Sequence, residues 1–155
     1  MQPRTLMMIV LAGLVPAAAM AADPVLTVTE PDIDTWVWEG VATAPIAVEV
    51  ASGADLDFSW LGDASGYGGT ILGYRYGWDI VDPDDPDDPG WATPGYVADL
   101  LAAPTVVFEF GVHSLHVEVA DTDGGLTRAW YSLVIAPPVS AAATSWGGLK
   151  AAFRH

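Results

Sequence analysis

Residues 82–90 read DPDDPDDPG, five aspartates and three prolines in nine positions with no lysine or arginine beside them. With Asp79 just upstream, the run makes Asp79, Asp82, Asp84, Asp85, Asp87 and Asp88 the candidate ligands for a hard cation. Calcium takes six to eight oxygens at ~2.3–2.6 Å, supplied by side chains that converge. The EF-hand pattern is absent, since no glycine stands at its sixth position and no glutamate at its twelfth. The run instead repeats every three residues. In polyproline II geometry that period places Asp82, Asp85 and Asp88 on one face, about 9 Å apart. Such a rod cannot cage an ion without outside donors such as Asp121 and Asp123 of the later DTDGG turn, which read as turn formers. The expectation is a stiff, hydrated, self-repelling connector that requires no cofactor, with a weakly held calcium ion as the alternative.

Aromatic side chains offer a second chemistry. Trp60, Trp91 and Tyr96 stand among glycines and prolines. Exposed on one face they would stack sugar rings; otherwise they plug the open ends of the fold. Catalytic patterns are lacking. His113 and His116 are three apart in a strand-like stretch, so they point to opposite faces and cannot form a dyad. Neither a Gly-x-Ser-x-Gly elbow nor an HExxH helix occurs. Twenty acids offer chance carboxylate pairs, but none is singled out. An enzyme is not expected, and a small hydrolase with an unrecognised carboxylate pair stands last among the readings.

The N-terminus, MQPRTLMMIVLAGLVPAAAMAADP, has one basic residue, an apolar run from Leu6 to Val15, and the small-x-small sequence Ala19-Met20-Ala21. This is the pattern of a signal peptide over residues 1–21, too short for a stable membrane span. Its removal takes Arg4 away and leaves all twenty acids against four bases, one unit beyond the whole chain's formal charge of −15. That field repels nucleic acid and anionic head groups, and leaves extracellular proteins or polysaccharide as the partner classes. Without cysteine there are no disulfides, thiolate nucleophiles or thiolate metal sites. Cohesion must come from packing, to which seven tryptophans, five tyrosines and four phenylalanines contribute.

Period-two alternation marks the elements that must position these residues. Strands are expected at 25–30, 45–50 and 55–60. Over ILGYRYGWDI, Leu72, Tyr74, Tyr76, Trp78 and Ile80 share one face and Gly73, Arg75, Gly77 and Asp79 the other. Residues 106–110, 112–120 and 127–135 alternate again, and the Asp-Gly pair of DTDGG signals a hairpin between the last two. A short helix is expected over 96–102 and a weak one in the tail, where Trp146, Leu149 and Phe153 recur at helical spacing. The chain then divides into a signal peptide (1–21), a β-sandwich domain (22–136) and a C-terminal tail (137–155).

Two segments resemble the polycystic-kidney-disease (PKD) type of immunoglobulin-like domain. Tyr76-Gly77-Trp78-Asp79 is similar to that family's Tyr-x-Trp-Asp element on its third strand. GVHSLHVEVADTDGGLTRAWYSLVI, residues 111–135, is similar to its closing hairpin. The resemblance covers residues 45–135. The family's Phe-Gly-Asp-Gly continuation is replaced by IVDPDDPDDPGW, a longer acidic insertion. The string GYRYGWDI with its Asp-Pro run also resembles domains of large secreted proteins of environmental bacteria, whose function is unassigned. The tail 144–154 is similar to short C-terminal tails of such exported proteins. The resemblance implies an antiparallel immunoglobulin-like sandwich serving as a structural or adhesive module of the cell surface or extracellular space. The alternative is a carbohydrate-binding accessory domain using Trp60, Trp91 and Tyr96.

Overall fold

β-Branched and aromatic residues on alternating positions form seven strands, because one face of each can then be buried while the backbone pairs sideways. They are β1 (Val25–Glu30), β2 (Asp34–Glu39), β3 (Ile46–Val50), β4 (Ser59–Asp63), β5 (Ile71–Trp78), β6 (Gly111–Asp121) and β7 (Leu126–Ile135). The computed structural model describes residues 22–138. The signal peptide expected at 1–21 and the helical turn expected in the tail lie outside them.

Two sheets of order β2-β1-β4 and β3-β7-β6-β5 pack face to face as a sandwich. All neighbours are antiparallel except β3 and β7, which run parallel, a departure from the purely antiparallel expectation. The cause is a chain that changes sheets. After pairing with β1, β2 turns at Gly40 (φ +68°), and Val41 bridges Arg128 of β7 before β3 continues along that strand.

Leu26, Val28, Phe58, Leu115, Val117 and Leu133 fill the space between the sheets with essentially no exposure. Tyr131 sits at the centre, its ring 5.0 Å from Trp36, 5.6 Å from Trp38 and 5.9 Å from Phe58. Its hydroxyl accepts a 2.7 Å hydrogen bond from the Trp38 indole, so the buried phenol is satisfied. Trp36 and Trp38 belong to β2, a strand the alternation did not reveal because DTWVWE is short, acidic at both ends and only half-buried.

Three further differences have local causes. A register shift between Ile71 and Gly73 leaves Leu72 about half exposed and turns Ile71 toward the core instead. No helix forms over 96–102. Val97 pairs with Tyr74 and Ala102 with Ser59, so sheet edges recruit the segment between Pro94 and Pro104 as a strap. Residues 55–58 and 106–110 contribute one bridge, Leu56 to Val106, rather than full strands.

The connection 79–110 thus joins β5 to its neighbour β6 by a long detour. Residues 90–97 bond to the free edge of β5, and residues 101–106 bond to the chain from Leu56 to Trp60. One open side of the sandwich is closed by this route, a standard protection for edge strands.

Candidate functional site: the outer face of the four-stranded sheet

Only two lysine or arginine residues, Arg75 and Arg128, occur between residues 22 and 138. Strand register brings both to Glu118. In β6, Glu118 lies between Arg75 of β5 and Arg128 of β7, all three on the face turned away from the core. Glu118 is fully buried. One of its carboxylate oxygens accepts from Arg75 Nε and from the Tyr96 hydroxyl at 2.8 Å, the other from Arg128 Nε at 2.6 Å. Burial, followed by the Glu118 charge and hydrogen bond, pushes the Tyr96 phenol up to about 12. Burial alone would weaken the Arg128 cation, but hydrogen bonding and charge from Glu118, then from Asp84, raise its pKa on balance.

The acidic run is the roof of this cluster. Each of Asp82, Asp85 and Asp88 opens a turn with proline second. Its carbonyl accepts the amide three residues on, at 3.1, 3.2 and 3.1 Å. Its carboxylate accepts the amide two residues on, from Asp84, Asp87 and Gly90. Aspartate at the first position and proline at the second are what such turns select. The three-residue period therefore encodes chained turns, and the extended polyproline rod expected from composition is not formed.

Three residues, Arg128, Trp91 and Asp88, lock the roof down. Arg128 reaches Asp84 at 2.9 Å and the Pro83 carbonyl at 2.8 Å. The Arg75 guanidinium carbon sits over the Trp91 ring, 3.8 Å from its centroid, and the indole donates to the Asp85 carbonyl at 3.0 Å. Asp88 also accepts the Val81 and Asp82 amides at 3.2 and 3.0 Å; hydrogen bonds to Asp82 and Gly90, partly opposed by desolvation, hold its carboxyl below the ordinary value. The glycines of GYRYG make room for this. A Cβ on Gly77 would stand 2.4 Å from the Gly90 carbonyl, and one on Gly73 2.9 Å from the Val97 backbone.

The expected metal ligands are accordingly spread over separate tasks. Asp82, Asp85 and Asp88 shape the turns, Asp84 meets Arg128, and Asp79 turns away toward β6. There its two oxygens accept the Ser114 amide at 2.7 Å and meet His113 Nδ1 at 3.0 Å. Among the described residues no three of His, Asp and Glu converge as a metal site would require. Asp121 closes the β6–β7 turn, accepting the Asp123 and Gly125 amides.

The expected stacking aromatics are not on one face. Trp60 is a core residue, 5.2 Å from Tyr76, its indole donating to the Leu100 carbonyl at 2.6 Å. Trp91 and Tyr96 belong to the roof on the opposite side of the sheet. The two histidines do face opposite ways. His113 stacks on Phe108 at 4.2 Å, and His116 lies on the outer face against Trp130 at 5.3 Å. His116 is almost wholly buried with Nδ1 unpartnered; desolvation, aided by Arg128, lowers it to about 4.

The Glu118 cluster was not expected from sequence, yet a signal for it existed. In a chain so poor in bases, Arg75 sits on the polar side of one alternating strand and Arg128 two positions into another. The DTDGG hairpin sets Glu118 opposite Arg128. The missing step was that this outer face would be roofed.

Beyond the roof the same face opens into a cleft of about 290 Å³ lined by Pro45, Asp79, Ile80, Val112, His113, Ser114, Trp130 and Ser132. No helix of the described residues is long and apolar enough to cross a membrane. The chain matches no family model and no curated protein in sequence.

Proposed function

We propose that this chain is an exported, non-catalytic binding module of the cell surface or extracellular space, built on a PKD-type immunoglobulin-like sandwich. The observation that carries this reading is the roofed ion cluster. The groups with the greatest chemical reach, Glu118, Arg75, Arg128 and Tyr96, are hydrogen-bonded to one another beneath a folded cover. They are spent on fixing a surface rather than left open to a reactant. The residues that carry the resemblance to that domain type are Tyr76-Gly77-Trp78-Asp79, at the end of β5, and the β6–β7 hairpin. The acidic N-terminally processed chain fits an extracellular partner that is neutral or cationic, a protein or a polysaccharide. A calcium ion is not required by any of these contacts.

Two readouts test the proposal. Protein recovered outside the cell is expected to begin at Ala22, and labelled mature chain is expected to bind extracellular material saturably. Intact Met1 in a purely intracellular pool, or retention that never saturates, contradicts it.

A hydrolase reading finds residue types but not geometry. Asp79 and His113 are paired beside Ser114 and Ser132. However, His113 and Ser114 are consecutive on β6 and direct their side chains to opposite faces.

A further inference from the structure

We infer that the cleft beside Trp130 is a subsite for one neutral sugar ring, which deepens the binding-module reading and rests on it. The roof covers the outer face as far as the row of Arg75, Glu118 and Arg128. Four residues further along β6 and β7, past the His116–Trp130 pair, Ser114 and Ser132 face each other in register and form an open floor. Asp79 and Ile80, where the acidic connection departs, line one side; Pro45, Trp130 and Val112 complete the rim of this open cleft. About 290 Å³ is at the small end of ligand pockets, room for one ring rather than a large ligand.

The lining selects among ligand classes. An anion finds no cation, because Arg75 and Arg128 are not in the lining and are engaged with Glu118. A metal ion finds only Asp79 and His113, already bonded to each other. What the cleft does present is an indole, two aliphatic side chains, two hydroxyls and a fixed carboxylate. That mixture suits a ring with an apolar C–H surface and a rim of hydroxyl groups. The chain's negative charge adds a preference for neutral rings over uronic acids.

The polar groups are also held in place before any ligand arrives. Asp79 has a left-handed backbone (φ +52°), a conformation that aspartate tolerates, and its two oxygens clamp the Ser114 amide and His113. The His113 ring itself points to the other face and stacks on Phe108, so its part is to hold the Asp79 carboxylate at the edge of the cleft. Trp130 is braced by the nearly parallel His116 ring, at an interplanar angle of 21°. Rigid placement of this kind lowers the ordering cost of binding.

The test is an NMR titration of the mature chain with neutral hexoses, N-acetylhexosamines and their short oligomers, with uronic acids as controls. Saturable shifts confined to the Trp130 indole, His113, Ser132 and Val112 are expected, with a millimolar dissociation constant for a single ring. Ser132→Phe fills the floor from a half-buried position outside the core, so the spectrum should remain folded while affinity falls at least about tenfold. Trp130→Ala should lose binding as well, and Ser132→Phe keeps the proposal testable if that variant loosens around His116. Absence of shifts with every neutral sugar, shifts that persist in Ser132→Phe, or equal binding of uronic acids would overturn the subsite. Saturable retention on extracellular material that Ser132→Phe leaves unchanged would likewise remove the sugar subsite, while leaving the binding-module reading intact.

Discussion

The two faces of the four-stranded sheet solve burial in opposite ways. On the inner face, Leu115, Val117, Tyr131 and Leu133 are held by apolar area and aromatic contact, with the Trp38–Tyr131 hydrogen bond added at the centre. On the outer face, a glutamate and two arginines are buried just as deeply, under a cover built from the most acidic stretch of the chain. Apolar packing stabilises in proportion to area and tolerates exchange of similar shapes. A buried ion cluster gains little net free energy, because desolvation offsets most of the attraction, but it demands one geometry. The inner face therefore supplies cohesion, and the outer face fixes where the connection 79–110 lies.

Substitutions can break this contrast at either face. Glu118→Ala should have the largest effect, about 3–5 kcal/mol, because it leaves the buried Arg75 without a carboxylate and Arg128 with only its contacts to Asp84 and Pro83. Replacing Glu118, Arg75 and Arg128 together by apolar residues of similar volume should cost much less in a denaturant melt, yet release the 82–91 cover to proteolysis. On the inner face, Leu115→Ala should cost about 2–5 kcal/mol by opening a cavity, with the cover still in place. If the triple replacement is as damaging as Glu118→Ala, the distinction between the faces fails.

Acid sensitivity should be a property of the outer face. His116 has an ordinary value of 6.5 and is lowered to about 4. Between those values the unfolded chain takes up a proton that the native imidazole refuses. Stability should be level above pH 6.5 and fall as pH drops toward 4, by on the order of 3 kcal/mol. His116→Phe should flatten that slope. Asp88 and Asp121 are held below 3.8, Asp88 first by the Asp82 amide and Asp121 first by the Tyr67 hydroxyl. Their support is present above the ordinary carboxylate value and disappears as pH falls through the lowered ones. A melt whose pH dependence survives unchanged in His116→Phe would contradict the assignment.

The smallest effect is expected at the rim. Asp84 meets Arg128 with a largely exposed carboxylate, so Asp84→Asn should cost less than about 1 kcal/mol, weaker still at high salt. Calcium or chelator should leave the melting midpoint unshifted, since the carboxylates are divided among turns and an arginine. An upward shift that scales with calcium concentration would require a site that gathers them.

The same two faces explain how far the sequence could be read. Alternation revealed the strands whose inner positions are uniformly large and apolar, as in VHSLHVEVA and TRAWYSLVI. It missed β2, whose Trp36 and Trp38 are half-buried between acidic ends, and it mistook a strap at 96–102 for a helix because edge pairing outweighs local preference. The acidic run misled for a different reason. Its period of three is shared by polyproline geometry and by Asp-Pro turns chained corner to corner. Composition cannot separate them, whereas the amides that each aspartate accepts can. Of the expected site residues, Asp79 alone lines the open cleft, while Trp130, Ser114 and Ser132 became visible only once strand register had placed them on one floor.

Amide hydrogen exchange across residues 82–92 tests the folded cover most directly. The Trp91 indole and the amides of Asp85, Asp88, Trp91 and Ala92 each have a carbonyl acceptor. They should exchange far more slowly than an unstructured acidic loop, and Glu118→Ala should abolish that protection before the core amides of β6 respond. Exchange at the unprotected rate in the native chain would mean that DPDDPDDPG is a solvated tether after all.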